Sequence, residues 1–338
     1  MPLLKEVQPP GEAAPVRKRA GNAWFWFCAK LGISLTLLAW LFSRFDLDLA
    51  TLTPTSAAPL AAGLVATLAQ PFSAAFRWQM ILQLYGQRLR FREVLRIVFI
   101  AAFMNQFLPA SVGGDAVRVY MLHRRGAGLS PAIASTLLDR ATAMLGLVLI
   151  VVVTIPRVLD VIADDCIKYL LIGVAALLCA GVAVIVSLSD FLETLRRRFR
   201  FMSPFALFAS GLRDLPRNRA NLFAMLTASV VVHVLSGVGL WAALHAFDQQ
   251  VSLLDVLAVF APIILFQMLP ISVGGWGVRE LMAVAMLAAL AVPANAAIAS
   301  SIFLGLLYAV ASVPGCIAWL IGGKREAPGV DDGAISRR

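Results

Sequence analysis

The sequence contains one thirteen-residue pattern twice, at positions 161 residues apart. The first copy is QFLPASVGGDAVR at 106–118, and the second is QMLPISVGGWGVR at 267–279. Nine of the thirteen positions are identical, namely Gln, Leu, Pro, Ser, Val, Gly, Gly, Val and Arg. Unrelated apolar segments share Leu and Val by chance, but they do not share Pro, Ser, Gly-Gly and Arg at one spacing. The sequence therefore predicts an internal duplication.

Long apolar runs indicate the medium in which the duplicated unit folds. Sixty per cent of the residues are hydrophobic and 14% are charged. Runs of about 20 apolar residues recur, and each is long enough to cross ~30 Å of hydrocarbon as a helix. The sequence predicts an all-α polytopic membrane protein. Its net charge of +10 then indicates cytoplasmic loops and anionic lipid, so we expect no nucleic-acid partner. The four cysteines lack metal-like spacing, and we expect neither a metal site nor a cofactor.

Six full spans are predicted, at 22–43, 58–80, 131–155, 167–188, 222–247 and 294–322. Pro71 is expected to break the second of them. Lys and Arg clusters between the spans place both termini in the cytoplasm. The chain is thus divided into a disordered cytoplasmic tail (1–21), one transmembrane domain (22–323) and a second tail (324–338). Within the domain, repeat one covers about 58–155 and repeat two about 222–323.

The apolar piece that leads into the first motif copy is too short to cross a bilayer. Residues 97–108 number twelve, or ~18 Å as a helix. A crossing would also place the next basic cluster, at 123–125, on the side that disfavours Lys and Arg. A re-entrant hairpin is therefore predicted, surrounded by protein or a wet cavity. The second copy lies in a similar hairpin at 253–292, although a full crossing there is an open alternative. Three spans separate the hairpins, which predicts an inverted-topology repeat of the kind found in alternating-access transporters.

Each motif copy has the composition of a gate that binds an anion. Pro stops the incoming helix, Gly-Gly allows a tight turn, and the following helix begins with free N–H groups next to an arginine. Arg118 and Arg279 are accordingly candidate ligands for a phosphate. Close helix packing is the alternative role of the glycines, and Arg118 could instead extend to the cytoplasmic edge. The predicted gate residues are Pro109, Gly113, Gly114, Pro270, Gly274, Gly275 and Gly277.

Further candidate binding residues lie near these arginines in sequence. Arg140 lies ~15 Å into its span, where an isolated charge costs about 2.5–3.5 kcal/mol. It is a candidate headgroup contact or half of an ion pair, while its neighbour Asp139 points about 100° away round the helix. Glu280 is a candidate for pairing with an arginine or for carrying a coupling proton. The remaining candidates either satisfy exposed backbone or bind ligand, and they are Gln106, Gln267, Ser111 and Ser272.

The motifs LPASVGGDAVR and LPISVGGWGVRE resemble the lysylphosphatidylglycerol synthase transmembrane family, also called flippase-like. Its best-known example is the N-terminal flippase region of the bacterial multiple peptide resistance factor. Weaker support comes from AFRW at 75–78, LLDR at 137–140 and VPG at 313–315. The resemblance covers about 22–323. It implies lipid translocation in the bacterial plasma (inner) membrane, with an anionic or zwitterionic phospholipid, a hopanoid-related lipid or a polyprenyl-linked lipid as partner.

The sequence and the resemblance together predict a lipid flippase rather than an enzyme. Arg118, Arg279 and Arg140 would hold the headgroup phosphate, and the two Pro/Gly-Gly breaks would form the gate. The chain ends at Arg338, so we expect no soluble aminoacyl-transferase domain and no lysinylation by this chain. Two alternatives stay open: an integral-membrane transferase acting on a polyprenyl-phosphate or phospholipid, and a non-catalytic partner of a separate lipid synthase.

Overall fold

The computed structural model of the protein describes residues 20–45, 51–107, 113–161, 164–268 and 271–323. Within these ranges the chain is helical and contains no β-strand. Four described helices are long and apolar enough to cross a membrane, or five if one bent pair counts as a single span. The predicted all-α polytopic membrane fold is confirmed. The count of six spans stays a prediction, and the two predicted tails lie almost wholly outside the described residues.

Twelve α-helices make up the described part, together with three single-turn 3₁₀ helices. In chain order they are α1 (Ala20–Arg44), α2 (Ala58–Leu84), α3 (Phe91–Phe107), α4 (Gly113–Arg124), α5 (Leu129–Val161), α6 (Asp165–Ser187), α7 (Ser189–Arg198), α8 (Ser203–Asp214), α9 (Arg219–Ala246), α10 (Leu253–Met268), α11 (Val278–Leu287) and α12 (Ala294–Gly323). These bounds follow the apolar runs to within a few residues at most ends, because hydrocarbon permits only segments whose backbone hydrogen bonds are satisfied internally.

Two features of the helices differ from the sequence prediction. Pro71 does not break its span, because α2 continues through it to Leu84. Membrane helices tolerate proline where neighbouring helices and polar side chains compensate for the lost bond, and α2 packs along α9 over much of its length. The segment at 196–219 lies between two predicted spans, yet it forms the end of α7 and all of α8. In α8, Ala206, Ala209 and Leu212 are buried on one face. This apolar pattern is short and lies between arginine clusters, so the sequence did not predict the helix.

The two halves of the chain repeat the same packing. Helix α2 begins at Ala58 and α9 begins at Arg219. These two starts are 161 residues apart, which is also the separation of the two motif copies. In each half two short helices pack against each other as a hairpin, α3 with α4 and α10 with α11. The hairpin helix α3 packs on α12, and α10 packs on α5, which is the same contact with the halves exchanged. Each hairpin therefore packs against the last helix of the other half. We call the halves interlocked for this reason.

One close approach shows how tight this interlocking is. Gly315 of α12 lies directly against the backbone carbonyl of Phe99 in α3, and a Cβ atom at position 315 would overlap it. Glycine therefore lets the two helix backbones touch, as in other membrane helix pairs with small residues at the contact. Through this contact, the position of the first hairpin is tied to α12 of the second half.

Candidate functional site

A cavity of about 320 Å³ opens between α2, α3, α4, α5, α9 and α10, and its lining combines charged and apolar side chains. We call it the basic cavity, because its charged lining consists of Arg77, Arg118, Arg140, Asp115 and Asp139. Three of the residues predicted from sequence, Arg118, Arg140 and Asp139, therefore meet here. Arg77 and Asp115 join them, although neither was predicted as a site residue. In this lining the arginines exceed the aspartates by one.

Asp139 is held between two arginines at one side of the basic cavity. Its Oδ1 accepts a hydrogen bond from Arg77 Nε at 2.7 Å, and its Oδ2 accepts one from Arg118 Nη1 at 2.7 Å. The Asp139 side chain is only 3% exposed. Arg77 also donates to Ser229 Oγ at 3.1 Å, and the Arg118 guanidinium lies 4.4 Å from the ring centre of the buried Trp78. Charge-assisted bonds and cation–π stacking thus fix both guanidinium groups.

Arg140 is the most accessible arginine of the basic cavity. Its Nε donates to Asp115 Oδ2 at 2.7 Å, and Asp115 also lies 3.8 Å from Arg118. The Arg140 side chain is 31% exposed, against 5% for Arg77 and 8% for Arg118. Asp139 and Arg140, although adjacent in sequence, thus pair with different partners, as their positions round α5 predicted. Arg140 is the guanidinium best placed to reach a molecule inside the cavity.

An adjoining cavity of about 280 Å³ joins the two halves of the protein. We call it the amide cavity, because four side-chain amides line it: Gln70, Asn105, Gln106 and Gln267. Gln70 and Asn105 also line the basic cavity, so the two spaces are neighbours. Gln106 and Gln267 are the equivalent first residues of the two motif copies. The repeated motif therefore brings its two glutamines to one cavity.

An apolar groove of about 270 Å³ runs along α5, α6 and α8 on the other side of Arg140. Apart from Arg140, its lining is Leu137, Ala141, Met144, Leu145, Leu177, Leu178, Gly181, Val182, Ile185 and Phe208. Arg140 and Met144 line both this groove and the basic cavity. The basic cavity and the apolar groove therefore meet at these two residues.

In the first motif copy, Gly114 serves close packing. Gly113 and Gly114 form the first turn of α4, and Gly114 has no positive φ. A Cβ atom on Gly114 would overlap the Ala101 carbonyl of α3, and the Gly114 amide donates to Asn105 Oδ1 at 2.7 Å. Asn105 thus occupies one of the helix-terminal N–H groups that were predicted to bind an anion. Pro109 and Ser111 lie outside the described residues.

In the second copy, the glycines form the turn itself. Gly274, Gly275 and Gly277 have φ values of +58°, +83° and +86°, which residues with a Cβ atom rarely adopt. The turn reaches the first hairpin, because a Cβ on Gly274 would lie 3.7 Å from the Gln106 carbonyl oxygen. Ser272 is buried, and its Oγ has no partner among the described residues. Pro270 lies outside them.

Arg279 lies in a separate, neutral cluster behind this turn. Its Nη2 donates to Glu280 Oε1 at 2.5 Å, its Nε contacts Ser301 Oγ at 3.1 Å, and it stacks 4.7 Å from the ring centre of Trp276. Glu280 Oε2 accepts the Gly277 N–H at 2.7 Å. Both charged side chains are almost fully buried and line neither cavity described above. Glu280 thus pairs with an arginine, one of its two predicted roles.

The motif arginine makes the same kinds of contact in both copies, but the charged residues around it differ. Arg118 and Arg279 each stack on a tryptophan and pair with a buried carboxylate. Only Arg118 lies in a lining with further arginines. The candidate site is therefore asymmetric, with its charges in the first half and the amide cavity shared between both halves.

Sequence reasoning missed Arg77, Asp115, Gln70 and Asn105 as site residues. Arg77 had a detectable signal, since it lies in AFRW inside a span, where an arginine needs a partner. Asp115 had none, because it occupies a position at which the two motif copies differ. Among the described residues, no group of three His, Cys, Asp or Glu side chains could hold a metal ion.

Two comparisons bear on the identity of this site. No curated protein matched the chain. The model of the lysylphosphatidylglycerol synthase TM region matched residues 27–315, which include all five charged residues of the basic cavity and both motif copies. The match covers most of the sequence, and the chain therefore belongs to the lysylphosphatidylglycerol synthase TM region family.

Proposed function

We propose that this protein moves a phosphate-bearing lipid between the leaflets of the bacterial plasma membrane. Family membership indicates a membrane lipid-related role, and the TM region of this family is its non-catalytic, flippase-like part. One observation carries the finer proposal: the basic cavity and the apolar groove meet at Arg140 and Met144. A charged headgroup and an acyl chain of the same molecule have separate places there.

The charges of the basic cavity suit a phosphate. Arg77 and Arg118 are committed to Asp139, while Arg140 is partly exposed beside Asp115. A guanidinium offers two parallel N–H donors to a phosphate, and such bonds strengthen away from bulk water. The excess of one arginine over the aspartates would be offset by the negative charge of one phosphodiester. In this proposal Arg140 contacts the phosphate, and the Asp139 cluster holds the cavity open around it.

Interlocked halves provide a means of alternating exposure. The turn of the second hairpin lies close to Gln106 of the first, and each hairpin packs on the last helix of the other half. A shift of one hairpin would therefore displace the other. We propose that these coupled shifts open the two neighbouring cavities to one leaflet and then to the other, as in other transporters built from repeats.

The test is a transport assay in liposomes containing the purified protein. Phosphatidylglycerol labelled on an acyl chain is incorporated, and its arrival in the outer leaflet is followed by chemical quenching of the fluorophore. Gly181→Leu should slow transport severalfold, because its side chain would extend into the apolar groove, where a Cβ at position 181 has no neighbour within 4 Å.

Gly173→Leu is the matched control for the groove. It makes the same change on the same helix, with equal space around the Cβ position but outside the groove lining. Arg140→Gln should also slow transport, and the exposed Arg197→Gln should not. Equal rates for Gly181→Leu and Gly173→Leu would contradict the proposed lipid path. Binding of phosphatidylglycerol without any transport would instead favour the role of partner to a lipid synthase.

A further inference from the structure

We infer that residues 188–205 form a surface that binds the headgroups of anionic phospholipids in the adjacent membrane leaflet. We call this stretch the basic-aromatic segment. It contains Leu188, α7, one 3₁₀ turn and the start of α8. None of its residues lines the basic cavity, the amide cavity or the apolar groove. The inference therefore concerns a second contact with lipid, and it does not depend on transport.

The basic-aromatic segment begins where a long apolar helix ends. α6 stops at Ser187, and α7 follows after one residue with its axis turned by 52° from that of α6. α8 then returns towards the spans, since Phe208 of α8 and Ile185 near the end of α6 line the same groove. The segment is thus held at the end of the apolar part of α6, where the hydrocarbon meets the headgroups.

Large apolar side chains of this segment are exposed. One face of α7 is apolar, and its residues are Leu188, Phe191, Leu192 and Leu195. Phe191 is 61% exposed, and beyond α7 Phe201 is 71% and Phe205 is 47% exposed. The rings of Phe199 and Phe201 lie 5.7 Å apart and form one aromatic surface. Such side chains are stabilised when they enter the boundary between headgroups and acyl chains.

Four arginines lie among these apolar side chains, at positions 196, 197, 198 and 200. Arg196 pairs with Glu193. None of the described residues forms an ion pair with Arg197 or Arg200, and both arginines are exposed. A guanidinium binds phosphate oxygens through two parallel N–H groups. Two guanidinium groups are therefore available to lipid phosphates at this surface.

A second basic cluster in the same chain shows why a leaflet suits this segment better than a soluble acidic partner. Arg88, Arg90 and Arg92 are exposed, but the apolar residues between them, Leu89 and Phe91, pack against the protein core. That cluster offers charge alone. The basic-aromatic segment offers charge together with exposed rings, which matches a surface with anionic phosphates above and acyl chains below.

The test measures which lipid lies next to α7. A fluorophore is attached through Thr194→Cys in a cysteine-free background, and the protein is reconstituted in phosphatidylcholine liposomes. Thr194 is exposed on α7, one turn from both Phe191 and Arg197. Phosphatidylglycerol or phosphatidylcholine with a nitroxide near the headgroup end of an acyl chain is then added. Labelled phosphatidylglycerol should quench at a mole fraction about fivefold lower, the factor expected for one arginine near an anionic surface.

Paired arginine substitutions separate local binding from net charge. Arg197→Gln with Arg200→Gln should abolish the preference for phosphatidylglycerol. Arg88→Gln with Arg92→Gln is the matched control, because it also removes two exposed arginines for which the described residues provide no ion pair. The control should keep the preference. Equal losses in the two double variants would overturn the site, since net charge alone would then explain the result.

The aromatic side chains are tested with the arginines intact. Phe201→Ser with Phe205→Ser should weaken quenching by both lipids, because the segment loses its apolar contact with the leaflet. Salt at ~1 M, with a screening length of ~3 Å, should remove only the preference for phosphatidylglycerol. Equal quenching by both lipids in the unsubstituted segment would overturn the headgroup site. Quenching by neither lipid would also overturn it and would favour an acidic protein as the partner of this surface.

Discussion

Replacing Asp139 by asparagine should destabilise the protein more than any exposed substitution of the same kind. The change keeps the size of the side chain but removes the negative charge between Arg77 and Arg118. Both guanidinium groups donate to Asp139 at 2.7 Å, and their side chains are only 5% and 8% exposed. After the substitution, two arginines would face each other in the protein interior with no carboxylate between them.

The magnitude follows from burial. Removing one partner of a buried ion pair costs about 3–5 kcal/mol, because the remaining charge is left uncompensated. That loss is a large fraction of the ~5–15 kcal/mol by which a typical protein is stable. Exposed pairs contribute about 0–1 kcal/mol. The pair of Asp190 with Arg213 is of this exposed kind, with 81% and 48% of the side chains accessible, so Asp190→Asn is a matched control.

The free energy of unfolding can be measured in mixed micelles by titration with a denaturing detergent, with tryptophan fluorescence as the signal. We expect Asp139→Asn to lose ~3–5 kcal/mol and Asp190→Asn less than ~1 kcal/mol. Adding Arg77→Met to Asp139→Asn removes one stranded charge and should recover part of the loss. A loss below ~1 kcal/mol for Asp139→Asn would refute the structural role of this ion cluster.

Two further predictions concern the hairpins. Gly275→Ala should cost more stability than Gly86→Ala. Both glycines have positive φ, but only at Gly275 does a side chain, that of Gln267, lie against the position of the added Cβ. Equal losses in the same unfolding titration would show that backbone strain alone matters. Single cysteines placed beside Arg118 and beside Gly277 in a cysteine-free background should react with an impermeant reagent from opposite sides of the membrane, and labelling from one side would contradict the inverted repeat.

The sequence was informative wherever one local rule decided the outcome. Apolar runs located the ends of the long helices to within six residues, because the bilayer restricts their length. The match of Gln106 with Gln267 anticipated two residues that line one cavity, since a repeated motif tends to repeat its place in the fold. Arg140 could be predicted as a site residue because it lies deep within a span, where an arginine requires a partner or a cavity.

The sequence was uninformative where tertiary packing determined which residues pair and which conformation the backbone adopts. Asp139 pairs with Arg77, 62 residues away, and no local pattern distinguishes that arginine from others in the chain. The Gly-Gly pair starts a helix at Gly113 but forms a positive-φ turn at Gly274, so identical residues take different backbone conformations in the two copies. Phe208 of α8 completes the lining of the apolar groove, and the arginines around α8 left no clear apolar pattern in that part of the sequence. Such features follow from tertiary contacts that act after the local preferences.

The central claim is that one lipid occupies the junction of the basic cavity and the apolar groove, and photocrosslinking in native membranes tests it most directly. A photoreactive amino acid at Met144, which lines both spaces, is compared with one at Val153, which is 73% exposed on the same helix. Mass spectrometry of the adducts should find one class of phosphate-bearing lipid enriched at position 144 and the bulk lipid mixture at position 153. The same bulk mixture at both positions would contradict the account.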